Sequence, residues 1–186
     1  MASNYIEIAK HYNKQDFDNW RSAEWWENEE WKYFLPEEEY HRVDNKYRTQ
    51  ACKKYNKGME GHQFIEVLEM IDLKKIGYKW LHANYYLFKD VKPTAKVYGP
   101  GTDEIKRVIG KLKVEYLCDY VSNRSIKASE PDLFAYRRNN IDKNTYDMVF
   151  IECKNKDGLY DTQLLGIELI NKYLKIPVIV VHYFER

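Results

Sequence analysis

The chain has 186 residues, of which 44% are hydrophobic and 32% charged, a composition that supports a buried core and excludes a disordered tail. Its formal net charge of +1 does not by itself indicate nucleic-acid binding. The three dispersed cysteines form no CxxC pair, which argues against a disulfide framework or a cysteine-based zinc site. There is no signal-peptide core and no apolar run of membrane length. We therefore expect a soluble, intracellular protein, cytoplasmic or nuclear, with no membrane partner.

The N-terminal part of the chain differs in composition from the rest, being dense in Trp, Tyr, Glu and Lys. Helices are predicted for 16–34 and 37–56, and Pro36 suits the start of the second. Residues 1–58 are thus predicted to be a helical accessory region. The glycine-containing segment KGMEG marks the boundary to a main domain over 59–186.

The elements that follow alternate between helix and strand. Apolar residues recur at helical spacing after residue 62, and Gly77 stands where a C-terminal cap is expected. The aromatic-rich segment 79–88 predicts a strand. Two prolines and two glycines make 92–101 a loop, and a helix is predicted over 102–122.

The last third of the chain has the clearest patterns. PDLFAY (131–136) and YDMVFIECK (146–154) predict two strands joined by a polar turn. A helix over 161–174 and a continuous apolar strand over 176–184, buried on both faces, complete the chain. The order of elements predicts an α/β fold, with a central mixed β-sheet flanked by helices and an N-terminal helical extension.

Charged residues stand at the end of the apolar strand 146–154. Side chains alternate across a strand, so Glu152 and Lys154 share one face. Asp132 opens the preceding strand, and a hairpin between the two strands would bring it beside that pair. Two carboxylates and a lysine at one sheet end suit Mg²⁺ or Mn²⁺, which prefer oxygen ligands. Alone, a Pro-Asp dipeptide is usually a turn and a Glu-x-Lys a solvated strand end; their joint placement favours a site.

The side-chain amide of Gln163 is a further candidate for the site formed by Asp132, Glu152 and Lys154. Gln163 lies on one helical stripe with Ile167, Ile170 and Leu174, so it is predicted to face the sheet from the first helical turn. From there its side chain could reach the end of the strand. A polar residue that merely satisfies the helix N-terminus is the alternative.

These residues carry a family resemblance. Pro131–Asp132, the ECK of 152–154 and the following helix with Gln163 resemble the PD-(D/E)XK nuclease superfamily. Within it, IECKNKDGLYDTQLLGIELINKYLKIPVIVVHY is similar to the VRR-NUC branch, with Asp157 and Leu159 in the D-x-L turn. Holliday-junction resolvases and restriction-type enzymes are the other branches that fit. The resemblance implies a restriction-endonuclease-like core.

The resemblance also implies roles for individual residues. Asp132, Glu152 and the backbone carbonyl of Cys153 would bind Mg²⁺ or Mn²⁺, and Lys154 would act on the attacking water and the developing charge. Gln163 would position waters near the metal. The superfamily usually adds a glutamate from its first helix. That residue is predicted to be Glu66, with Glu69 as the second choice.

The implied activity is Mg²⁺-dependent hydrolysis of DNA, by an endonuclease that acts on branched, flap or duplex substrates. RNA stays open as a substrate, and a homodimer is compatible with a duplex substrate. Lys156, Arg137 and Arg138 are the predicted nucleic-acid contacts. The alternative is a catalytically inactive module on the same fold that binds nucleic acid or a protein.

Overall fold

Five strands form one mixed sheet in the computed structural model of the chain, which describes residues 5–22, 64–82, 85–89 and 99–186. Across the sheet their order is β1 (Ile6–Tyr12), β5 (Val178–Glu185), β4 (Tyr146–Lys154), β3 (Leu133–Arg138) and β2 (Lys79–His82). Strand β3 runs antiparallel to both β2 and β4, whereas β4 and β5 are parallel. This arrangement confirms the predicted α/β class with a mixed sheet.

Helices flank the sheet. In chain order they are α1 (Lys14–Ser22), α2 (Phe64–Lys75), α3 (Gly99–Ile109), α4 (Lys111–Asn123) and α5 (Asp161–Leu169), which continues as a π-helical turn (Ile170–Leu174). None of the helices among the described residues is long and apolar enough to cross a membrane.

The chain divides into two compact units. The first contains the described residues of Met1–Ile8 and Tyr78–His182, and the second those of Ala9–Gly77 and Tyr183–Arg186. The sequence-predicted boundary between 1–58 and 59–186 lies outside the described residues.

The first unit has an aromatic and aliphatic core on β3 and β4. The rings of Phe134 and Phe150 lie 4.8 Å apart at their centroids. Ile105, Leu117 and Ile167, each from a different helix, are buried in the same cluster. Burial of this apolar surface is the main favourable term in folding, and it holds the ends of β3 and β4 at a fixed separation.

The second unit packs around three rings. Tyr12 and Phe17 each contact the fully buried Phe64, with centroids 5.3 Å apart in both cases. In the same unit the buried carboxylate of Glu69 accepts a hydrogen bond from the Tyr183 hydroxyl at 2.7 Å and pairs with Lys10 at 2.6 Å. Two donors satisfy this carboxylate, so Glu69 serves the packing of its own unit.

The hairpin prediction is confirmed. Strand β4 covers the predicted residues 146–154, and its pairing with β3 aligns Leu133 with Ile151 and Arg138 with Tyr146. Burial deepens along β4, so that its last five residues are all buried. The predicted strand over 176–184 also forms, as β5.

Two predictions for the middle of the chain were wrong. The strand predicted over 79–88 ends at His82, and the backbone N–H groups of Leu87 and Phe88 donate to the Glu130 carboxylate at 3.2 and 3.1 Å. This carboxylate takes the place of a strand partner, because buried backbone donors need an acceptor of some kind.

The single helix predicted over 102–122 is two helices. Helix α3 already begins at Gly99, in what was predicted to be a loop, and a break at Gly110 separates it from α4. Gly110 has φ of 112°, which an α-helix cannot accommodate and which glycine tolerates best.

One strand was not predicted. Residues 1–58 were predicted to be a helical region, but Ile6–Tyr12 forms β1 at the edge of the sheet. Most of its side chains are exposed, including Ile6 and Ile8, so the strand lacks the alternation between buried apolar and exposed polar residues that identifies strands in a sequence. The described part of the helix predicted over 16–34 does form, as α1. The rest of it and the helix predicted over 37–56 lie outside the described residues.

Candidate active site

Asp132 lies directly beside the end of β4. It immediately precedes β3, and its Oδ2 accepts a hydrogen bond from the backbone N–H of Cys153 at 2.8 Å. This bond takes the place of a ladder bond beyond the last strand pair, Leu133 with Ile151. Asp132 thus extends the β3–β4 pairing with its side chain, and its carboxylate is held next to Glu152 and Lys154.

The segment before β3 is anchored on its other side as well. The N–H of Ser129 donates to the carbonyl of Thr162 at 2.9 Å, which ties the segment to the first turn of α5. The Tyr85 hydroxyl donates to the Pro131 carbonyl at 2.6 Å. Tyr85 is fully buried, and burial first, followed by the charges of nearby carboxylates including Asp132, raises the pKa of its hydroxyl well above the usual range. Tyr85 therefore stays a protonated donor and fixes the backbone beside Asp132.

Glu152 and Lys154 form a buried ion pair at the end of β4. The Lys154 Nζ lies 2.9 Å from the Glu152 Oε1, and the two residues are only 7% and 2% exposed. The ring of Tyr160 lies beside the ammonium, with its centroid 5.4 Å away. Removing two charges from water costs several kcal/mol per ion, and this cost offsets the attraction between them. The pair therefore contributes little to the stability of the fold.

Gln163 holds the pair in place from α5. Its Oε1 accepts from the Lys154 Nζ at 2.8 Å and from the backbone N–H of Tyr160 at 2.9 Å, while its Nε2 donates to the Glu152 carboxylate. The carbonyl oxygen thus faces two donors and the amino group faces an acceptor. This arrangement confirms that Gln163 faces the sheet end, and its bond to Tyr160 also caps the start of the helix.

The pKa values of both carboxyl groups are raised. Burial raises the pKa of Asp132, against the opposing effects of the Cys153 N–H and the Lys154 charge. Burial also raises the pKa of Glu152, and the charge of Asp132 raises it further, although Lys154 opposes both effects. The site thus gathers more negative charge than Lys154 balances, and additional positive charge there would be stabilising.

The donor set fits a hard divalent cation. The N–H and C=O of one strand residue face the same neighbour, so the Cys153 carbonyl is directed to the side on which its N–H meets Asp132. Asp132, Glu152 and this carbonyl offer oxygen ligands only. No group of three His, Cys, Asp or Glu side chains suited to a metal occurs within the described ranges. Mg²⁺ needs no such group, since it usually binds one or two carboxylates and keeps several waters.

The helix glutamates belong to the second unit. Glu66 lies in the first turn of α2 and is partly buried, and its predicted role stays a prediction. Glu69, the second choice, accepts hydrogen bonds from Tyr183 and Lys10.

The predicted nucleic-acid contacts do not lie together. Lys156 is exposed two residues after Lys154. Arg137 and Arg138 lie at the opposite end of β3, about 20 Å from Asp132 at roughly 3.4 Å per strand residue. There the Arg137 Nε bonds to Asp147 at 3.1 Å, and the Arg138 guanidinium stacks on the ring of Tyr146. These two arginines therefore do not join the carboxylate cluster.

Sequence reasoning missed two contributors, Tyr85 and Glu130. Both act through contacts with distant parts of the chain, at separations of more than 40 residues. Neither stands in a motif, and the only available signal was their position beside predicted strands.

Helix α5 approaches the 129–132 segment closely at Gly166, and a larger residue there is expected to destabilise the fold. A Cβ on Gly166 would lie 2.2 Å from the Ser129 carbonyl oxygen, so Gly166→Ala must displace this backbone. We expect it to lower the free energy of unfolding by about 1–3 kcal/mol, as overpacking does, and to disturb Asp132. Urea denaturation measures this. Gly158→Ala is the matched control, because nothing lies within 4 Å of its Cβ, and equal effects of the two substitutions would contradict the prediction.

Replacement of Gln163 tests whether its amide positions the Glu152–Lys154 pair for the nucleic-acid cleavage that the resemblance implies. Gln163→Leu removes all three hydrogen bonds of the amide but keeps both charges of the Glu152–Lys154 pair. We expect the rate of a single turnover to fall about 10- to 100-fold, as for other residues that orient metal ligands. Glu168→Gln, on the exposed side of the same helix, should leave the rate unchanged. A Gln163→Leu protein as fast as this control would show that the amide has no positioning role.

Comparisons of the chain with known protein families, with curated proteins and with solved structures give no match.

Proposed function

We propose that the chain is a metal-dependent nuclease of the PD-(D/E)XK type, with a restriction-endonuclease-like core nearest to the VRR-NUC branch. The observation that carries the proposal is the meeting of Asp132, Glu152 and Lys154 at one end of the β3–β4 hairpin. A buried and a half-buried carboxylate, both with raised pKa and beside a buried lysine, are more typical of a functional site than of a structural ion pair.

The residues divide the chemistry of phosphodiester hydrolysis among them. When bound, Mg²⁺ or Mn²⁺ supplies Lewis acidity at the scissile phosphate and lowers the pKa of a bound water. Asp132, Glu152 and the Cys153 carbonyl would hold the ion. Lys154 would donate to the attacking water or to a phosphate oxygen and stabilise the negative charge that develops there. Gln163 keeps the ammonium directed at this point.

The substrate follows from the resemblance. DNA that is branched, flapped or duplex is the proposed substrate, with RNA as the alternative, and the products would carry 5′-phosphate and 3′-hydroxyl ends. Lys156 is proposed as a contact to the substrate backbone. Arg137 and Arg138 are proposed to contact nucleic acid at the far end of β3. A homodimer would place two such sites on a duplex.

A cleavage panel tests the proposal. The purified chain is incubated with Mg²⁺ or Mn²⁺ and with single-stranded, duplex, flap and four-way DNA, with RNA alongside, and the product ends are mapped. Glu152→Ala and Lys154→Ala proteins, checked for folding by circular dichroism, should be inert. If both cleave like the wild type, the site assignment is wrong.

One observation favours a second function, a catalytically inactive binding module. Glu152 and Lys154 neutralise each other, and no third metal-binding side chain joins the two carboxylates among the described residues. In that case the ion pair would serve to fix the fold. Binding of nucleic acid without cleavage under any metal condition of the panel would favour this module over the nuclease.

A further inference from the structure

Three tyrosines form a surface cluster at the opposite end of the α5 helix from Gln163. Tyr116 and Tyr120 lie one turn apart on α4, and Tyr173 comes from the π-helical turn. The ring of Tyr173 lies 5.8 Å from that of Tyr116 and 4.7 Å from that of Tyr120, measured between centroids. Short π-helical turns inside helices are frequent at functional sites.

All three rings are at least partly accessible to solvent. Tyr116 is 59% exposed, and Tyr120 and Tyr173 are partly buried against the core. The core fixes the last two rings, and Tyr116 adds an accessible aromatic face beside them. Rigid rings with open faces offer contact area at a low cost in conformational entropy.

Positive charges accompany the rings. The guanidinium of Arg124 lies 4.1 Å from the centroid of Tyr120, and the Lys172 Nζ lies 5.2 Å from that of Tyr173. Both cations are exposed. Lys113 lies three residues before Tyr116 on the same helix and adds a cation beside that ring, whereas Asp119, three residues after it, adds one negative charge. Rings interleaved with cations are complementary to a polyanion that carries flat, stackable groups.

We infer that this tyrosine patch (Tyr116, Tyr120, Arg124, Lys172 and Tyr173) binds single-stranded nucleic acid, with bases stacked on the rings and phosphates beside the cations. Unpaired strands are favoured because the faces of bases in a duplex are already stacked on each other. The inference rests on the proposed function for the class of its substrate. It adds a surface that holds the strand outside the cleavage site.

The patch lies within reach of a strand bound at the proposed active site. Tyr173 follows Gln163 by ten residues on one continuous helical segment, which corresponds to about 15 Å along the axis at 1.5 Å per residue. At a spacing of about 3.4 Å per nucleotide this spans roughly four nucleotides, and fewer in an extended strand. A single-stranded arm leaving the cleavage site could therefore rest on the rings.

Equilibrium binding tests the inference without any cleavage. Fluorescence anisotropy is measured in EDTA with labelled single-stranded DNA and RNA of about 15 nucleotides, and with a DNA duplex of equal length. Tyr116→Ala should weaken binding to single strands about fivefold or more, while Tyr116→Phe, which keeps the ring, should bind like the wild type. Arg124→Gln should reduce the slope of log affinity against log salt by about 0.7. Comparison of the DNA and RNA arms shows which strand the patch prefers.

Controls separate this result from a general loss of fold or function. Tyr116 is mostly exposed, so its replacement leaves the core intact, and Ile141→Ala removes an even more exposed apolar side chain (97%) in the β3–β4 turn. Unchanged binding by Tyr116→Ala, equal losses on single strands and duplex, or no single-strand binding by the wild type would each overturn the inference. Because no metal is present, a failure of the cleavage panel leaves this result standing, and a failure here leaves the panel standing.

Discussion

Replacement of Lys154 by methionine is expected to slow single-turnover cleavage by about a hundredfold or more, the range found for a key group that stabilises charge in a transition state. Methionine keeps the length and apolar stem of the side chain and removes only the ammonium. That ammonium lies 2.9 Å from the Glu152 carboxylate and donates to Gln163, so its position is fixed by two partners. The measurement is the rate at saturating enzyme with Mg²⁺.

The control for this variant is Lys143→Met. Lys143 is exposed in the turn between β3 and β4, so the two substitutions change the net charge equally. We expect Lys143→Met to cleave like the wild type. A Lys154→Met protein within about threefold of the wild-type rate would remove Lys154 from the mechanism, since loss of a single electrostatic contact of this kind should cost far more.

Asp132→Asn is expected to abolish metal binding and, without metal, to make the protein more stable. Asparagine can still accept the hydrogen bond from the Cys153 N–H, so the local geometry survives. It removes a half-buried negative charge next to Glu152, and this charge is unfavourable unless a cation neutralises it. At pH 8 we expect a gain of about 1 kcal/mol or more, since one unit of pKa corresponds to about 1.4 kcal/mol.

The sign of the pH dependence follows from the raised pKa of Asp132. In the unfolded chain the carboxyl titrates near pH 4, whereas in the folded protein it keeps its proton to a higher pH. The folded state thus binds more protons between these two values, and its stability falls as the pH rises through the native pKa. The advantage of Asp132→Asn should therefore be complete at pH 8, about half as large at pH 5 and lost below about pH 4.

Thermal unfolding checks both parts of this prediction. In the absence of metal, Asp132→Asn should raise the Tm at pH 8 by about 2–4 °C, the shift that about 1 kcal/mol produces in a chain of this size. Added Mg²⁺ should raise the Tm of the wild type but not that of the variant. Asp103→Asn, an exposed position on α3, serves as the control for a lost surface charge. An equal Mg²⁺-dependent shift in wild type and Asp132→Asn would show that Asp132 is not a ligand.

The chain has a second buried carboxylate, Glu69, whose surroundings differ from those of Glu152. Glu69 is also buried, but Tyr183 and Lys10 both donate to it, and the neighbouring carboxylate of Asp72 is paired with two lysines, Lys10 and Lys75. Glu152 has a lysine and an amide as partners, yet the neighbouring Asp132 raises its pKa. A carboxylate placed against another carboxylate is stabilised by a cation, and this difference points to the end of β4 as the functional position.

The sequence by itself determined the elements whose signal is local. Strand β4 and the shared face of Glu152 and Lys154 follow from the alternation of side chains along a strand. The turn after β3 predicted the hairpin, and the hairpin predicted that Asp132 lies beside β4. The helical stripe placed Gln163 toward the sheet. Each of these relations spans few residues, so periodicity is sufficient to establish it.

The tertiary structure alone decided the features that depend on distant contacts. The end of β2 at His82 depends on Glu130, which accepts the N–H groups that a longer strand would have paired. The anchoring of Pro131 by Tyr85, and the grouping of Tyr173 with two tyrosines more than 50 residues earlier, have no counterpart in any local pattern. The pKa of Asp132 belongs here too, because burial depends on every segment that packs around a group, and no short stretch of sequence contains that information.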